Sequence, residues 1–175
     1  QLDTTSDVPG TYYLQMSVDG GTNWIQADKA IVVGDPNPTA VWTAGAGTTA
    51  WNTAANWSPA NVPDTAAENA VIPTVSSNLY PVLPAGTTTV NNLSIAAGAS
   101  LDVGGNTLTI SGVLSNNGTI YRQGGSAVTK TDTDSGTTVY RTAGTSIQDY
   151  GALDYYNLEL AGALSYVPAG NLAVA

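Results

Sequence analysis

The fold of this 175-residue chain is decided by residues 90–121, VNNLSIAAGASLDVGGNTLTISGVLSNNGTIY. The stretch consists of short apolar-polar-apolar triplets, such as Leu93-Ser94-Ile95, Leu101-Asp102-Val103 and Leu108-Thr109-Ile110, separated by Gly, Asn, Ala and Ser. Each triplet is too short for a helix and alternates with the period of two that marks a strand with one buried face. The stretch therefore predicts a series of very short strands.

The spacing of the triplets predicts how these strands stack. Leu93 and Val113, like Leu101 and Ile120, are separated by about twenty residues, the scale of one coil in a stacked-strand repeat. The phrase Asn92-Leu93-Ser94-Ile95 recurs at residues 157–160 and 171–174 as Asn-Leu-x-aliphatic. We expect its Leu to point inward and its Asn to bond backbone groups at a bend, so that stacked copies form a ladder. The fold class predicted is all-β, with a β-solenoid.

Composition and charge restrict the class of protein. The chain has 19 Gly and only 10% charged residues, a composition typical of an extracellular all-β protein. It has no Cys, which excludes disulfides and thiolate metal sites, and no His. The net charge of -9 makes nucleic acid and anionic membrane surfaces poor partners. Because no apolar run approaches ~20 residues, we expect no membrane insertion.

Residues 1–35 are predicted to form a separate, incomplete immunoglobulin-like β unit. Residues 10–18 alternate like a strand, Asp19-Gly20-Gly21 supplies a turn, residues 22–25 begin the return strand and residues 30–33 form a third strand. Trp24 is expected to pack on Tyr12 or Tyr13 across the hairpin. Residues 36–40, with two prolines, are predicted to be a linker.

Residues 41–73 carry the pattern Trp42-Thr43, Trp51-Asn52, Asn56-Trp57 and then Val71-Ile72-Pro73. Together with the triplets that follow, this pattern resembles a module of large secreted bacterial surface proteins of the Bacteroidetes type. The resemblance covers residues 41–121 and implies a Trp-rich cap at residues 41–73, solenoid coils at residues 74–175, and an adhesive or structural role at the cell surface.

The three tryptophans of this segment have two possible roles. Trp42, Trp51 and Trp57 could close the open end of the solenoid, since terminal repeats need protection of their apolar interior. Exposed tryptophans could instead stack on sugar rings and bind a surface polysaccharide. The first role is favoured, because each Trp has Ala, Thr and Asn as sequence neighbours and does not lie in an exposed turn.

The sequence favours neither catalysis nor a firm metal site. Without His the commonest general base is missing, and Lys29, Arg122, Lys130 and Arg141 cannot be paired with a carboxylate cluster, so we expect no enzyme and no cofactor. Asp132-x-Asp134-x-Gly136 is the best candidate for a calcium loop, because alternate carboxylates followed by Gly begin such turns. A solvated turn is the favoured alternative for this segment, since the downstream Glu is missing.

The function predicted is that of an extracellular structural protein. An incomplete N-terminal β unit and an uncapped last coil suggest that copies of the chain join head to tail by strand addition, which would propagate a filament. A rigid spacer in a larger surface protein is the second structural possibility, and a carbohydrate-binding adhesin module is the alternative from another class. The residues expected to carry assembly are Tyr12, Leu14, Met16, Val18, Leu172 and Val174.

Overall fold

The computed structural model describes residues 10–17, 19–33, 37–142, 146–151, 153–161 and 167–175. For most of residues 10–33 it gives the course of the backbone without the side chains. The chain divides into two compact units, residues 1–36 and residues 37–175. Each unit is described by itself.

The first unit contains an antiparallel hairpin of β1 (Gly10–Ser17) and β2 (Trp24–Val33). The predicted turn is confirmed, because Gly20 and Gly21 have φ of 73° and 96°, and the Asp19 carboxylate accepts the backbone N–H of Asn23 at 2.8 Å. The prediction of a separate third strand is wrong, since residues 24–33 form one continuous strand.

The register of this hairpin also corrects the expected aromatic pair. Trp24 lies opposite Ser17, whereas Tyr12 and Tyr13 lie opposite Ile31 and Ala30. Both tyrosines are at least four residues along β1 from Ser17, the residue opposite Trp24, which is too far for a direct or diagonal cross-strand pair.

The second unit is a β-solenoid of about four turns. Its strands are short, and a single 3-10 helix, Ala54–Asn56, interrupts them within the described residues. In chain order the strands are β3 (Thr39–Trp42), β4 (Trp57–Ser58), β5 (Asn69–Ile72), β6 (Thr87–Val90), β7 (Leu93–Ile95), β8 (Ser100–Gly104), β9 (Thr107–Ile110), β10 (Leu114–Asn116), β11 (Thr119–Arg122), β12 (Ala127–Val128), β13 (Asp132–Tyr140), β14 (Ser146–Ile147), β15 (Tyr155–Leu160) and β16 (Val167–Pro168).

Successive coils contribute strands to the same parallel sheets. One sheet has the order β10-β7-β5-β3, with β4 antiparallel at the edge beside β3. The second has the order β15-β13-β11-β8, the third β12-β9-β6, and β14 pairs with β16. Because strands about one coil apart in sequence lie side by side, the predicted solenoid is confirmed.

The register confirms one of the two predicted pairs and corrects the other. Leu101 lies beside Ile120, as expected. Leu93 lies beside Leu114 and not beside Val113, whose side chain is 65% exposed. A shift of one residue reverses the face to which a strand side chain points. Because Val113 and Leu114 are both apolar, the sequence does not show which of them points inward.

The core lies along the inside of the coils. The inward residues Leu93, Ile95, Leu101, Leu108 and Ile120 are at most 2% exposed. The middle residues of the three triplets, Ser94, Asp102 and Thr109, are only half-buried. This alternation is the predicted inward direction of Leu and the aliphatic residue. Burial of apolar surface stabilises a fold by roughly 25 cal/mol per Å², so one such side chain contributes about 2 kcal/mol to the stability of the solenoid.

The predicted boundaries at the start of the solenoid need correction. Thr39 and Ala40, placed in the linker, belong to β3 and pair with Asn69 and Ala70 of β5. Since β5 pairs in turn with β7, the Trp-rich segment contributes strands to the solenoid sheet instead of forming a separate cap.

Candidate functional site

The three tryptophans of residues 41–73 form one buried cluster. Trp57 contacts both Trp42 and Trp51 edge to face, with ring centroids 5.1 Å and 4.7 Å apart. The side chains of Trp42, Trp51 and Trp57 are exposed by only 1%, 1% and 3%. Each edge-to-face contact of this kind contributes about 1 kcal/mol of stability beyond that from burial of the rings.

Each indole N–H of this cluster is occupied by a backbone carbonyl. Trp42 donates to Leu79 at 2.8 Å, Trp51 to Pro63 at 3.1 Å and Trp57 to the carbonyl of Trp51 at 2.7 Å. A sugar ring cannot reach these buried faces, so the predicted stacking platform is wrong. The cluster lies where β3 and the edge strand β4 meet.

The proposed calcium loop is also placed differently. Residues 132–136 belong to strand β13, and neither a metal loop nor a solvated turn is present at this place. The Asp132 carboxylate is 4% exposed and accepts hydrogen bonds from Asn116 Nδ2 at 2.7 Å and from the backbone N–H of Asp134 at 3.3 Å. Within the described ranges, no three His, Cys, Asp or Glu groups lie together in a way that could hold a metal ion.

Asp132 borders the second notable feature, a polar network around a buried arginine. Arg122 is 1% exposed, and its guanidinium donates to Ser126 Oγ at 3.0 Å, the Ser126 carbonyl at 2.6 Å, Gln148 Oε1 at 2.6 Å and the Tyr150 hydroxyl at 3.0 Å. It also lies 5.1 Å from the centre of the Tyr140 ring. These uncharged acceptors connect β11 with the coil that follows.

Gln148 extends this network by replacing a strand partner. Its side-chain oxygen accepts the backbone N–H of Val128 at 3.0 Å, and its side-chain nitrogen donates to the Val128 carbonyl at 3.0 Å. The amide thus satisfies both backbone groups of one residue of β12, as a neighbouring peptide would do in a sheet.

A small cleft of about 10 Å³, the space of roughly one water molecule, lies between these groups. Apolar side chains such as Leu114 and Ile120 line it together with Arg122, Asp132 and Tyr150. Burial raises the pKa of Tyr150 to about 12, although the nearby Arg122 guanidinium acts in the opposite direction. The phenol is therefore protonated at neutral pH and acts as a hydrogen-bonding group, not as a base.

Burial likewise raises the pKa of Asp132, an effect that the hydrogen bonds from Asn116 and from the Asp134 amide partly oppose. Tyr155, whose hydroxyl lies 3.0 Å from that of Tyr140, also has a raised pKa because of burial. Burial thus raises the pKa of three acidic groups near the one guanidinium, namely Tyr150, Asp132 and Tyr155.

Asn92 bonds a backbone group at a bend, as predicted, but the ladder that it joins is made with Asn69 and Asn91 and not with Asn157 or Asn171 of the repeated phrase. Asn69 Oδ1 accepts from Asn92 Nδ2 at 2.8 Å and from Asn91 Nδ2 at 3.1 Å, and Asn69 Nδ2 donates to the Asn37 carbonyl at 2.9 Å. Asn92 Oδ1 in turn accepts the backbone N–H of Val113 at 2.7 Å. These bonds join successive coils at their bends.

The predicted assembly residues lie in two places. Tyr12, Leu14 and Met16 are in β1, whose side chains the structure does not describe, and Val18 lies outside the described residues. Leu172 packs against the cluster of Tyr140, Ile147 and Tyr155. Val174 forms a single parallel bridge with Tyr155 and is 50% exposed.

Sequence reasoning missed the residues of the Arg122 network. From the sequence, Arg122 is only a basic residue without a carboxylate partner, and the polar composition of the segment after it does not predict β12. The signal available was its place at the end of the alternation Thr119-Ile120-Tyr121-Arg122, where the inward positions are 120 and 122.

Comparisons with protein-family models, with curated proteins and with solved structures find no match for this chain. The resemblance to secreted bacterial surface proteins therefore stays a prediction. The described part of the chain contains no helix with both the length and the apolarity that a membrane span requires.

Proposed function

We propose that this chain is a structural module of an extracellular surface protein, in which the solenoid serves as a stiff element that spaces or joins other parts. The observation that carries the proposal is that three of its polar side chains bond from one coil to another. Arg122, Asp132 and Asn69 all bond to groups in neighbouring coils. Bonded polar networks of this kind hold one arrangement of the packed coils.

The main chain supports the same role. Parallel hydrogen bonds run from coil to coil, for example from Thr119 N–H to the Ala99 carbonyl at 3.0 Å and from Thr137 N–H to the Gly118 carbonyl at 2.9 Å. Stacked strands repeat at about 4.8 Å, so each added coil lengthens the module by that distance while burying its apolar interior against the previous coil. Such a module gains length with each coil and bears load through the backbone hydrogen bonds between coils.

We place the joining surface on residues 157–160 of strand β15, because residues 173–175 already bond to Asp154 and Tyr155 at its start. Residues 157–160 of this strand pair with β13, and Tyr156 and Leu160 are 39% and 42% exposed. A strand at the edge of a sheet offers N–H and C=O groups to an incoming strand. The partner proposed is a further coil or a second copy of this chain, which would add a strand head to tail.

The experiment compares self-association of the purified wild type with that of Leu160→Lys. A charged side chain on an edge strand opposes strand addition, so the variant should stay monomeric under conditions in which the wild type forms larger species. Val113→Lys is the matched control, because Val113 is an exposed valine at a bend beside β10. Sedimentation velocity and electron microscopy provide the measurements.

If the wild type and both variants sediment as monomers at all concentrations, the joining function is wrong and only the spacer function remains. If Val113→Lys dissociates the assembly as well as Leu160→Lys does, association is nonspecific and β15 is not the joining surface.

A further inference from the structure

The corner between β10 and β11 contains an exposed asparagine followed by a glycine. The side chain of Asn117 is exposed, and Gly118 is buried. A Cβ on residue 118 would lie 2.3 Å from the Ala99 carbonyl oxygen and 2.6 Å from that of Ala96. The stacking of the coils therefore requires glycine after Asn117.

This pair has a chemical consequence, because a glycine amide is the least hindered backbone nucleophile. When the Gly118 nitrogen attacks Asn117 Cγ, the new C–N bond closes a five-membered succinimide and the side-chain nitrogen leaves as ammonia. Water then opens the ring at either carbonyl and gives aspartate or isoaspartate. Asn117-Gly118 is the one Asn-Gly pair in the sequence.

The fold holds both reacting groups away from this reaction. The backbone N–H of Gly118 donates to Asn116 Oδ1 at 3.0 Å, and the Asn117 side-chain oxygen accepts from Ser135 Oγ at 2.8 Å. Asn116 is itself fully buried and anchored by its bond to Asp132. Attack by Gly118 requires the bond to Asn116 to open.

We propose that Asn117 is a self-modification site, where deamidation is restrained by Asn116 as a positioning residue. The product carries one more negative charge, and its isoaspartate form adds a backbone carbon at the corner. That added atom disturbs the bond between Thr119 N–H and the Ala99 carbonyl in the adjacent coil. Slow deamidation would thus loosen one corner of the solenoid with age.

The first test uses the intact wild type, incubated at neutral pH in native buffer and in concentrated guanidinium chloride. Peptide mass spectrometry measures the conversion of Asn117, with Asn106-Thr107 as the internal comparison. We expect conversion in denaturant to be at least about tenfold faster, since the native corner must open first. Equal rates, or preferential conversion of Asn106 in the denatured chain, would overturn the proposal.

The second test compares variants that remain folded by tryptophan fluorescence. Asn116→Ala should accelerate native conversion about fivefold, the factor that corresponds to loss of one hydrogen bond of about 1 kcal/mol. Ser135→Ala controls for loss of the outer contact and should have the smaller effect. A folded Asn116→Ala variant with the wild-type rate refutes the role of Asn116, and if that variant does not fold, the native-to-denatured rate ratio decides.

Discussion

Replacing Gly118 by alanine should destabilise the solenoid strongly. The added Cβ would lie 2.3 Å from the Ala99 carbonyl oxygen, about 1 Å closer than ordinary contact, and the obstructing atoms belong to backbone. Stacked strands are spaced at about 4.8 Å, so relief of this contact requires a local separation of about a fifth of that spacing.

The separation would weaken two backbone bonds, Thr119 N–H to Ala99 at 3.0 Å and Asn117 N–H to the Ile95 carbonyl at 2.9 Å. At about 1 kcal/mol for each bond and about 1–3 kcal/mol for overpacking, we expect a loss of about 3–5 kcal/mol in the free energy of unfolding.

Equilibrium denaturation followed by the fluorescence of the buried tryptophans measures this loss. The matched control is Gly105→Ala, where the nearest atom to the added Cβ is Gln123 Oε1 at 3.7 Å, so the expected change is within about 0.5 kcal/mol. If Gly118→Ala changes the free energy of unfolding by no more than the control does, the coils are not packed as tightly at this corner as the structure requires.

Three further changes test other parts of the solenoid. Leu101→Ala should lower the free energy of unfolding by about 2–5 kcal/mol, because Leu101 is 0% exposed, while Val113→Ala should have almost no effect in the same denaturation assay. Asn69→Ala removes the acceptor shared by Asn91 and Asn92, and hydrogen exchange should show faster exchange of the Asn92 amide, which bonds to Asn69 Oδ1 at 3.3 Å; an unchanged rate would count against the ladder. Because burial raises the pKa of Asp132 above its ordinary value of 3.8, its contribution to stability should decrease as pH rises from that value through the folded pKa, and Asp132→Asn should abolish this part of the pH dependence in denaturation curves.

The local features of the chain could be predicted because they depend on neighbouring residues. The triplets around Leu93, Leu101 and Leu108 each became a strand with its aliphatic residues inside. The turn at Asp19-Gly20-Gly21 followed from glycines that adopt positive φ without strain. The bond that Asn92 makes at a bend followed from its place immediately before a repeated strand, whereas its bond to Asn69 depends on the stacking of the coils.

The functional residues were harder to predict, because their environment is made by other coils. Asp132 and Asp134 have the local spacing of a metal loop, but Asn116 from the preceding coil bonds Asp132 within a strand. The burial of Trp51 likewise depends on other segments, namely on Trp57, whose ring contacts it, and on Pro63, whose carbonyl accepts its indole N–H.

By itself, the sequence determined that this protein would be built of short strands stacked about twenty residues apart, since alternation and spacing are written along the chain. The tertiary structure alone decided that Leu114 and not Val113 stacks on Leu93, and that Arg122 lies inside the solenoid among Ser126, Gln148 and Tyr150. The physical reason is that register and burial are free energies of whole coils in contact. They depend on which side chains from distant segments fill the same space, and no local pattern contains that information.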